Sequence, residues 1–265
     1  MLDNPIITFL SDFGTREYYV GSVKGVLLAT NPKCRIVDIS HDVGSHDILE
    51  CAFMLRSAYP YFPTRTVHLV VVDPGVGSAR RPILVCTEHH YFVGPDNGVF
   101  SFVYERESVL RVLHITSEHY FLQPISRTFH ARDIFAPVAG WLSRGLEPEK
   151  FGDPITDFVK FSAPRVRSGG DKTLVGFVLH IDKFGNLITN VTPADIASKG
   201  ASSIAKIRLG PKEITSVAEC YADAKQGEVF GILGSAGYYE ISTSKASAAK
   251  LLGVQRGNEV TFELK

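Results

Sequence analysis

The stretch VVVDPGVGSARRPI, residues 70–83, brings one carboxylate and two guanidinium groups into a single short loop. The apolar run at 69–72 has the character of a buried parallel strand. It stops at Asp73-Pro74-Gly75, where proline removes an amide donor and glycine frees the backbone. Ligands of open α/β sheets bind beyond the carboxyl ends of the strands, so Asp73 and the Arg80-Arg81 pair stand where chemistry is done. A plain polar turn, with its aspartate capping amides and its arginines in solvent, accounts for the same residues. Asp12, after the apolar run at 6–10, repeats the strand-end position of Asp73. A second group lies in SRTFHARDIF, where His130 leads into a helix and Arg127, Arg132 and Asp133 crowd the same few positions. In HIDKFGNLITN, Asp182, Asn186 and Asn190 cluster about Phe184-Gly185. An asparagine offers a planar base both a donor and an acceptor, and a pair of Asx turns explains the spacing equally well.

These groups need elements to position them. The run at 6–10 reads as a strand, and YVGSVKGVLLA places Val20, Val23, Val26 and Leu27 mostly on one side of a helix that ends before Asn31-Pro32. A strand at 35–39, a helix at 47–57 and the strand at 67–72 follow. This alternation implies a largely parallel sheet, because parallel neighbours need a crossover connection. Short strands at 82–87 and 90–93 flank a polar turn at Glu88-His89 and lead to Gly94-Pro95-Asp96-Asn97-Gly98, dense turn chemistry whose Asp96 and Asn97 either close the turn or face a ligand. Ile134, Phe135, Val138, Ala139 and Leu142 give the helix after His130 its inward face. Beyond residue 160 the periodicity is lost, and short segments at 173–181, 205–209, 229–233, 238–241 and 259–264 alternate with glycine-bearing turns. The expected architecture is an α/β amino-terminal domain with a mostly parallel central sheet (1–160), a linker (161–172) and a smaller all-β, barrel-like carboxyl-terminal domain (173–265).

Composition narrows the function. The 265 residues carry 28 basic and 28 acidic side chains, so no electrostatic footprint for nucleic acid or an anionic membrane is present. Cys34, Cys51, Cys86 and Cys220 are scattered without a CxxC pair and read as reduced core residues. No basic region followed by a long apolar segment opens the chain, and no run approaches the roughly 20 apolar residues of a membrane span, so a cytoplasmic protein is expected. The sequence has no GxGxxG after a strand and no GxxxxGK[ST], GxSxG or HExxH, which weakens the dinucleotide, phosphate-loop, serine-hydrolase and zincin explanations. His41, His46 and Asp47 are loosely spaced for a metal, but no compact set of three ligands forms, and no metal is expected.

Five motifs occur in order: SDFGT at 11–15, VVDPGVGSARRP at 71–82, GPDNG at 94–98, RTFHARDIFAPVA at 127–139 and IDKFGNLITN at 181–190. Together they resemble the S-adenosylmethionine hydroxide adenosyltransferase (DUF62) family, which is related to the S-adenosylmethionine-dependent fluorinase and chlorinase. The resemblance implies hydrolysis of S-adenosyl-L-methionine (SAM) by water or hydroxide at the ribose C5′, giving adenosine and L-methionine. SAM is then the substrate and no cofactor is required. It also implies a homotrimer with sites between neighbouring subunits. The family's hydrolytic triad falls on Asp73, Arg80 and His130, with His130 as the base closest to neutral pH or with Asp73 itself touching the water. The ribose-binding aspartate falls on Asp12, and the residues that meet the methionine amine and the adenine fall on Asp182 and Asn186. The segment 242–248 helps enclose the adenine. The halogenases lack the triad's aspartate and histidine, so one rival, a halide adenosyltransferase, fits less well; the other, a non-catalytic adenosine-binding module, is distinguished by retaining ligand affinity while releasing no methionine. Two departures stand out: the spacing from Asp182 to Asn186 is one residue shorter than in the halogenases, and Ala131 replaces the glycine that commonly follows the histidine. Arg81 receives no role and is read as solvent-facing or structural.

Overall fold

A computed structural model describes residues 4–162 and 164–265, which divide into two compact units that part between Phe161 and Ser162. In the first unit, seven strands run in chain order: β1 (Ile6–Ser11), β2 (Arg35–Ser40), β3 (Val67–Val71), β4 (Pro82–Thr87), β5 (Tyr91–Pro95), β6 (Val109–Ile115) and β7 (Gly152–Pro154). They form one sheet in the spatial order β2-β1-β3-β5-β4-β6-β7. Helices α1 (Tyr19–Thr30), α2 (Ile48–Ala58), α3 (Ser101–Arg106) and α4 (Ala136–Ser143) cover it. Alternation along each strand decides which face a side chain joins. Ile7, Phe9, Leu69 and Val71 pack with Val23 and Leu27 of α1 and Val138 of α4. Leu10, Val70 and Val72 pack on the other face with Leu55 of α2 and Val103 of α3.

The expected mostly parallel sheet is corrected to a mixed one. β2, β1, β3 and β5 are parallel to their neighbours, whereas β5, β4, β6 and β7 pair antiparallel. The reason lies in the connections. Only a short turn around Glu88-His89 joins β4 to β5, and a turn of that length can reverse a strand but cannot return it in parallel.

The second unit contains β8 (Arg167–Gly170), β9 (Thr173–Ile181), β10 (Leu187–Thr189), β11 (Ile204–Leu209), β12 (Lys212–Ile214), β13 (Val217–Ala218), β14 (Val229–Leu233), β15 (Tyr239–Thr243) and β16 (Glu259–Leu264). Its main path is β12-β11-β16-β9-β10-β15-β14-β13, with β8 added beside β9. Two findings qualify the all-β barrel. The short helices α5 (Pro193–Ala197) and α6 (Ala248–Leu252) belong to the unit, and no ladder joins the end strands β12 and β13 among the described residues. α5 starts on a capping box in which Thr192 and Asp195 bond reciprocally, a signal present in the sequence TPAD. Leu174, Val178, Ile207, Ile241, Val260 and Phe262 fill the interior. Of the four free cysteines, Cys34, Cys51 and Cys86 are buried, but Cys220 is exposed, contrary to the expectation of a core residue. No helix among the described residues is long and apolar enough to cross a membrane.

One polar cluster sits in the first unit's core. His68 on β3 is fully buried, with Nδ1 at 2.8 Å from Thr8 Oγ1 and Nε2 at 3.4 Å from Nδ1 of His90. Burial lowers the pKa of both rings below the ordinary histidine value of about 6.5. Both are therefore neutral at pH 7 in the folded chain. As pH falls through about 6.5 the unfolded chain takes up protons that the folded chain refuses, so stability present above this pH is lost below it. Each histidine contributes a slope of up to about 1.4 kcal/mol per pH unit. Thermal melts between pH 7.5 and 5 are expected to show a falling melting temperature, and His90→Gln is expected to make that fall shallower.

Candidate active site

β1 and β3 are adjacent and parallel, with Ser11 opposite Val71. Asp12 and Asp73 therefore emerge at the same edge of the sheet, beyond the carboxyl ends of neighbouring strands. After Asp73 the chain turns tightly. Val76 N–H donates to the Asp73 carbonyl at 3.2 Å, and Ser78 N–H to the Gly75 carbonyl at 3.1 Å. Gly77 holds φ at +75°, and a β-carbon there would collide with the backbone carbonyl of Arg127. Only glycine permits both the dihedral and this approach. The approach presses the loop of Asp73 and Arg80 onto the loop of His130.

Arg80 then reaches back. Its Nε donates to Asp73 Oδ1 at 2.9 Å, and its Nη2 donates both to Asp73 Oδ2 and, at 2.9 Å, to Nδ1 of His130. The Asp73 and Arg80 side chains are only 6% and 9% exposed, and the guanidinium carbon stands 5.1 Å from the centre of the Phe135 ring. A planar fork matching a carboxylate in two bonds fixes orientation as well as charge. Because a guanidinium only donates, Nδ1 of His130 is an acceptor and the ring proton sits on Nε2. Burial is the main influence lowering the His130 pKa; Arg80 adds to it, and Asp73 and Asp133 oppose it. Arg80 Nη1 is buried and has no hydrogen-bond partner among the described residues.

His130 precedes a π-helical turn, Ala131–Phe135, in which Ala136 N–H bonds to the carbonyl of Ala131 five residues back. Such turns concentrate at functional sites. Asp133, fully buried, accepts from Arg132 Nε at 2.6 Å and from Ser126 N–H at 2.8 Å, which ties down the lead-in to the helix. The cavity here is about 440 Å³, within the range of small-molecule sites, and is walled by Asp12, Asp73, His130 and Ala131 together with Phe13, Tyr18, Tyr19 and Phe129. Phe13 and Phe129 stand within two of the quoted motifs without a role of their own, and Tyr18 and Tyr19 were not marked by the sequence, since apolar spacing around Tyr19 reads only as helix. His46 also lines the cavity and donates its N–H to Asp12 Oδ2 at 2.9 Å from a left-handed φ of +66°.

The other predicted residues separate. His41 bonds Ser11 Oγ at 2.8 Å and faces Asp38 at 3.1 Å, Asp47 caps α2 by accepting from Glu50 N–H, and the described residues contain no group of three or more metal-type ligands. Arg81 is structural: it pairs with Asp96 and Asp157 at 2.7 Å each. Asp96 also accepts from Val159 N–H and Asn97 donates to the Val72 carbonyl, so the Gly94–Gly98 turn is held from within the unit.

In the second unit, Asp182 and Asn186 line a cavity of about 950 Å³ with Phe184, Tyr221, Thr243 and Lys245. Asp182 Oδ1 accepts from the N–H groups of Phe184 and Asn186 at 2.9 Å each, and its Oδ2 accepts from Asn186 Nδ2 at 2.8 Å. The Asx geometry is therefore real, and it leaves the Asn186 side-chain oxygen without a bond among the described residues. Asn190 instead accepts from Phe177 N–H at 2.8 Å and donates to the Pro164 carbonyl, a structural role.

Known proteins share this architecture. The profile of the SAM hydroxide adenosyltransferase N-terminal domain matches residues 7–152, and that of the C-terminal domain matches residues 176–261. The chain is 36% identical to a protein of Methanocaldococcus jannaschii named (R)-S-adenosyl-L-methionine hydrolase, covering 96% of this chain and 94% of that one. A fluorinase of Nocardia brasiliensis is 27% identical, over 98% and 97% of the two chains. The crystal structure of a conserved protein from Thermotoga maritima superposes with a TM-score of 0.91 at 35% identity, covering 97% of this chain and 99% of that one.

The contacts of His130 have a measurable sign. In an NMR titration, Arg80→Met is expected to raise the His130 pKa, because a nearby positive charge is lost, and Asp73→Asn is expected to lower it. Unchanged titration in both variants would dissolve the three-residue contact.

Proposed function

The chain belongs to the SAM hydroxide adenosyltransferase family, and on that premise we propose that it hydrolyses S-adenosyl-L-methionine at the ribose C5′, releasing adenosine and L-methionine. The observation that carries the reading is the contact of Arg80 with both Asp73 and His130 at the wall of the first unit's cavity.

The chemistry is displacement at carbon. An oxygen nucleophile forms a bond to C5′ as the C5′–S bond breaks, and methionine leaves as a neutral thioether that needs no proton. Hydroxide and sulfonium lose their opposite charges on the way to the transition state, so a site that strips water from both favours the reaction. Holding oxygen, carbon and sulfur in line adds the contribution of orientation.

The chain's residues divide the remaining work. Arg80 is permanently charged and keeps Nη1 available for the nucleophilic oxygen. His130 is held neutral by burial and by Arg80, and a neutral imidazole is the form able to take a proton from water. Its basic lone pair is on Nδ1, so the water proton goes there as the guanidinium exchanges His130 for the hydroxide. Asp73 and Asp133 then offset the imidazolium. Asp12, with one oxygen fixed by His46 N–H, keeps the other for a ribose hydroxyl. In the second unit the free Asn186 oxygen suits the amino group of adenine, with the 242–248 segment beside it. A homotrimer with sites between neighbouring subunits, acting in the cytoplasm, completes the reading; light scattering in solution tests the trimer.

Purified protein incubated with SAM and resolved by chromatography is expected to give adenosine and methionine in equal amounts. Asp73→Asn, Arg80→Met and His130→Ala are each expected to slow adenosine release by roughly 10²–10⁴-fold with little change in circular dichroism. Full turnover by all three would end the triad assignment. Gly77→Ala touches no reacting group, yet it is expected to cost roughly 100-fold by parting the two loops.

A further inference from the structure

The loop that carries Asp73 and Arg80 is braced from within. Besides the two turns closed on the Asp73 and Gly75 carbonyls, Ser78 Oγ donates to the Gly75 carbonyl at 2.6 Å and accepts from Arg80 N–H at 3.3 Å. A loop tied to itself in this way moves as a body, so its location is decided by what holds its two ends. Those ends are Val72, which follows β3, and Arg81, which precedes β4.

Consecutive residues of the turn after β5 hold both. Asn97 Nδ2 donates to the Val72 carbonyl at 2.8 Å, immediately before Asp73. Asp96 grips the other end through backbone and side chain together: its N–H donates to the Arg81 carbonyl at 2.9 Å, and its Oδ2 accepts from Arg81 Nε and Nη2 at 3.0 and 2.7 Å. The Asp96 side chain is 2% exposed, and its other oxygen accepts from Val159 N–H at 2.7 Å. Arg81 also reaches the chain near Val159, where Nη1 donates to the Asp157 carboxylate at 2.7 Å and Nη2 to the Asp157 carbonyl at 2.9 Å. The segment 155–161 is anchored in turn, with Phe158 against Tyr104 at 4.6 Å between ring centres and Phe161 N–H on Ser101 Oγ at 3.0 Å. Adjacent arginines thus have different tasks. Arg80 binds within the cluster at the cavity wall, and Arg81 binds the frame around it.

We propose that Arg81 is a positioning residue for the displacement step: by fastening the end of the loop to Asp96 and to the segment 155–161, it sets where Arg80 stands against Asp73 and His130. This rests on the reaction proposed above. Arg81 touches no reacting atom. Its effect on turnover passes through Arg80, whose 2.9 Å bond to His130 is lost on a small displacement. A surface ion pair that only adds a little stability leaves the chemistry unmoved, and this is the alternative to be separated.

The test uses two variants of the full chain. Arg81→Gln/Asp96→Asn removes both charges together, so no unpaired carboxylate is left buried, and it keeps amide hydrogen bonding between the two positions. Arg81→Lys keeps the charge and loses the planar fork. Both are expected to fold, as checked by circular dichroism. In an NMR titration the double variant is expected to raise the His130 pKa, the direction in which Arg80→Met moves it, and with SAM to lower kcat roughly tenfold to a hundredfold at nearly constant KM. Arg81→Lys is expected to give smaller changes of the same sign. Added to Arg80→Met, the double variant is expected to change kcat by less than about twofold more, because effects that pass through one contact do not add. Folded variants whose His130 titration matches that of the wild type overturn the proposal, as does a rise in KM at constant kcat or full additivity with Arg80→Met. Wild-type protein that releases no adenosine from SAM overturns the hydrolase reading, while the His130 titration still decides this one.

Discussion

The two-bond pairing of Arg80 with Asp73 is the constraint on which the first unit's cavity depends. A carboxylate placed two residues beyond β3 and buried to 6% exposure is costly unless a cation meets it with good geometry. Arg80 provides that geometry, and its own cost is offset by the Phe135 ring beneath it and by the lone pair of His130. The three groups fix one another. Arg80 selects the tautomer of His130, Asp73 orients Arg80, and the balance of burial and charge keeps the imidazole neutral. Everything else in the neighbourhood, from the bend at Gly77 to the salt bridge between Arg132 and Asp133, serves to deliver these side chains to one point.

Much of this was legible in the residue order, and the reasons are local. A run of apolar residues closed by Asp-Pro-Gly identifies a strand end, so Asp73 and Asp12 could be placed at the same edge without any knowledge of packing. His130 could be placed before a helix from the spacing of Ile134, Phe135, Val138 and Leu142. What could not be read was contact at long range. Arg80 and His130 are fifty positions apart, and nothing in either segment announces that a glycine between Val76 and Ser78 lets one backbone lie on the other. Arg80 and Arg81 are likewise indistinguishable as letters. One pairs with Asp73 and the other with Asp96 and Asp157, partners that lie in different segments of the chain.

The same limit explains the sheet and the second unit. Strand positions follow from apolar runs, but strand direction follows from connections, and the short β4–β5 turn carried more information than the alternation before it. Glu240 sits between Tyr239 and Ile241, where a single acidic letter in a short strand invites dismissal as an outward-facing residue. Its carboxyl packs instead against the backbone of Gly234, and the residue is almost fully buried. Asp182 shows the reverse case: its motif draws notice for ligand binding, while three hydrogen bonds reveal how much of it is committed to shaping its own turn.

The π-helical turn after His130 is a matter of phase. On a regular α-helix each residue advances about 100°, so positions five apart point roughly 140° away from each other. His130 and Phe135 are five apart, yet one guanidinium lies against both. The wider turn at Ala131–Phe135 accommodates one extra residue per revolution and brings the two side chains back into line. The inserted residue acts as an angular offset between the helix α4, whose phase is dictated by the core, and the imidazole, whose phase is dictated by Arg80. The scaffold and the chemistry can thereby be set independently on one continuous stretch of chain.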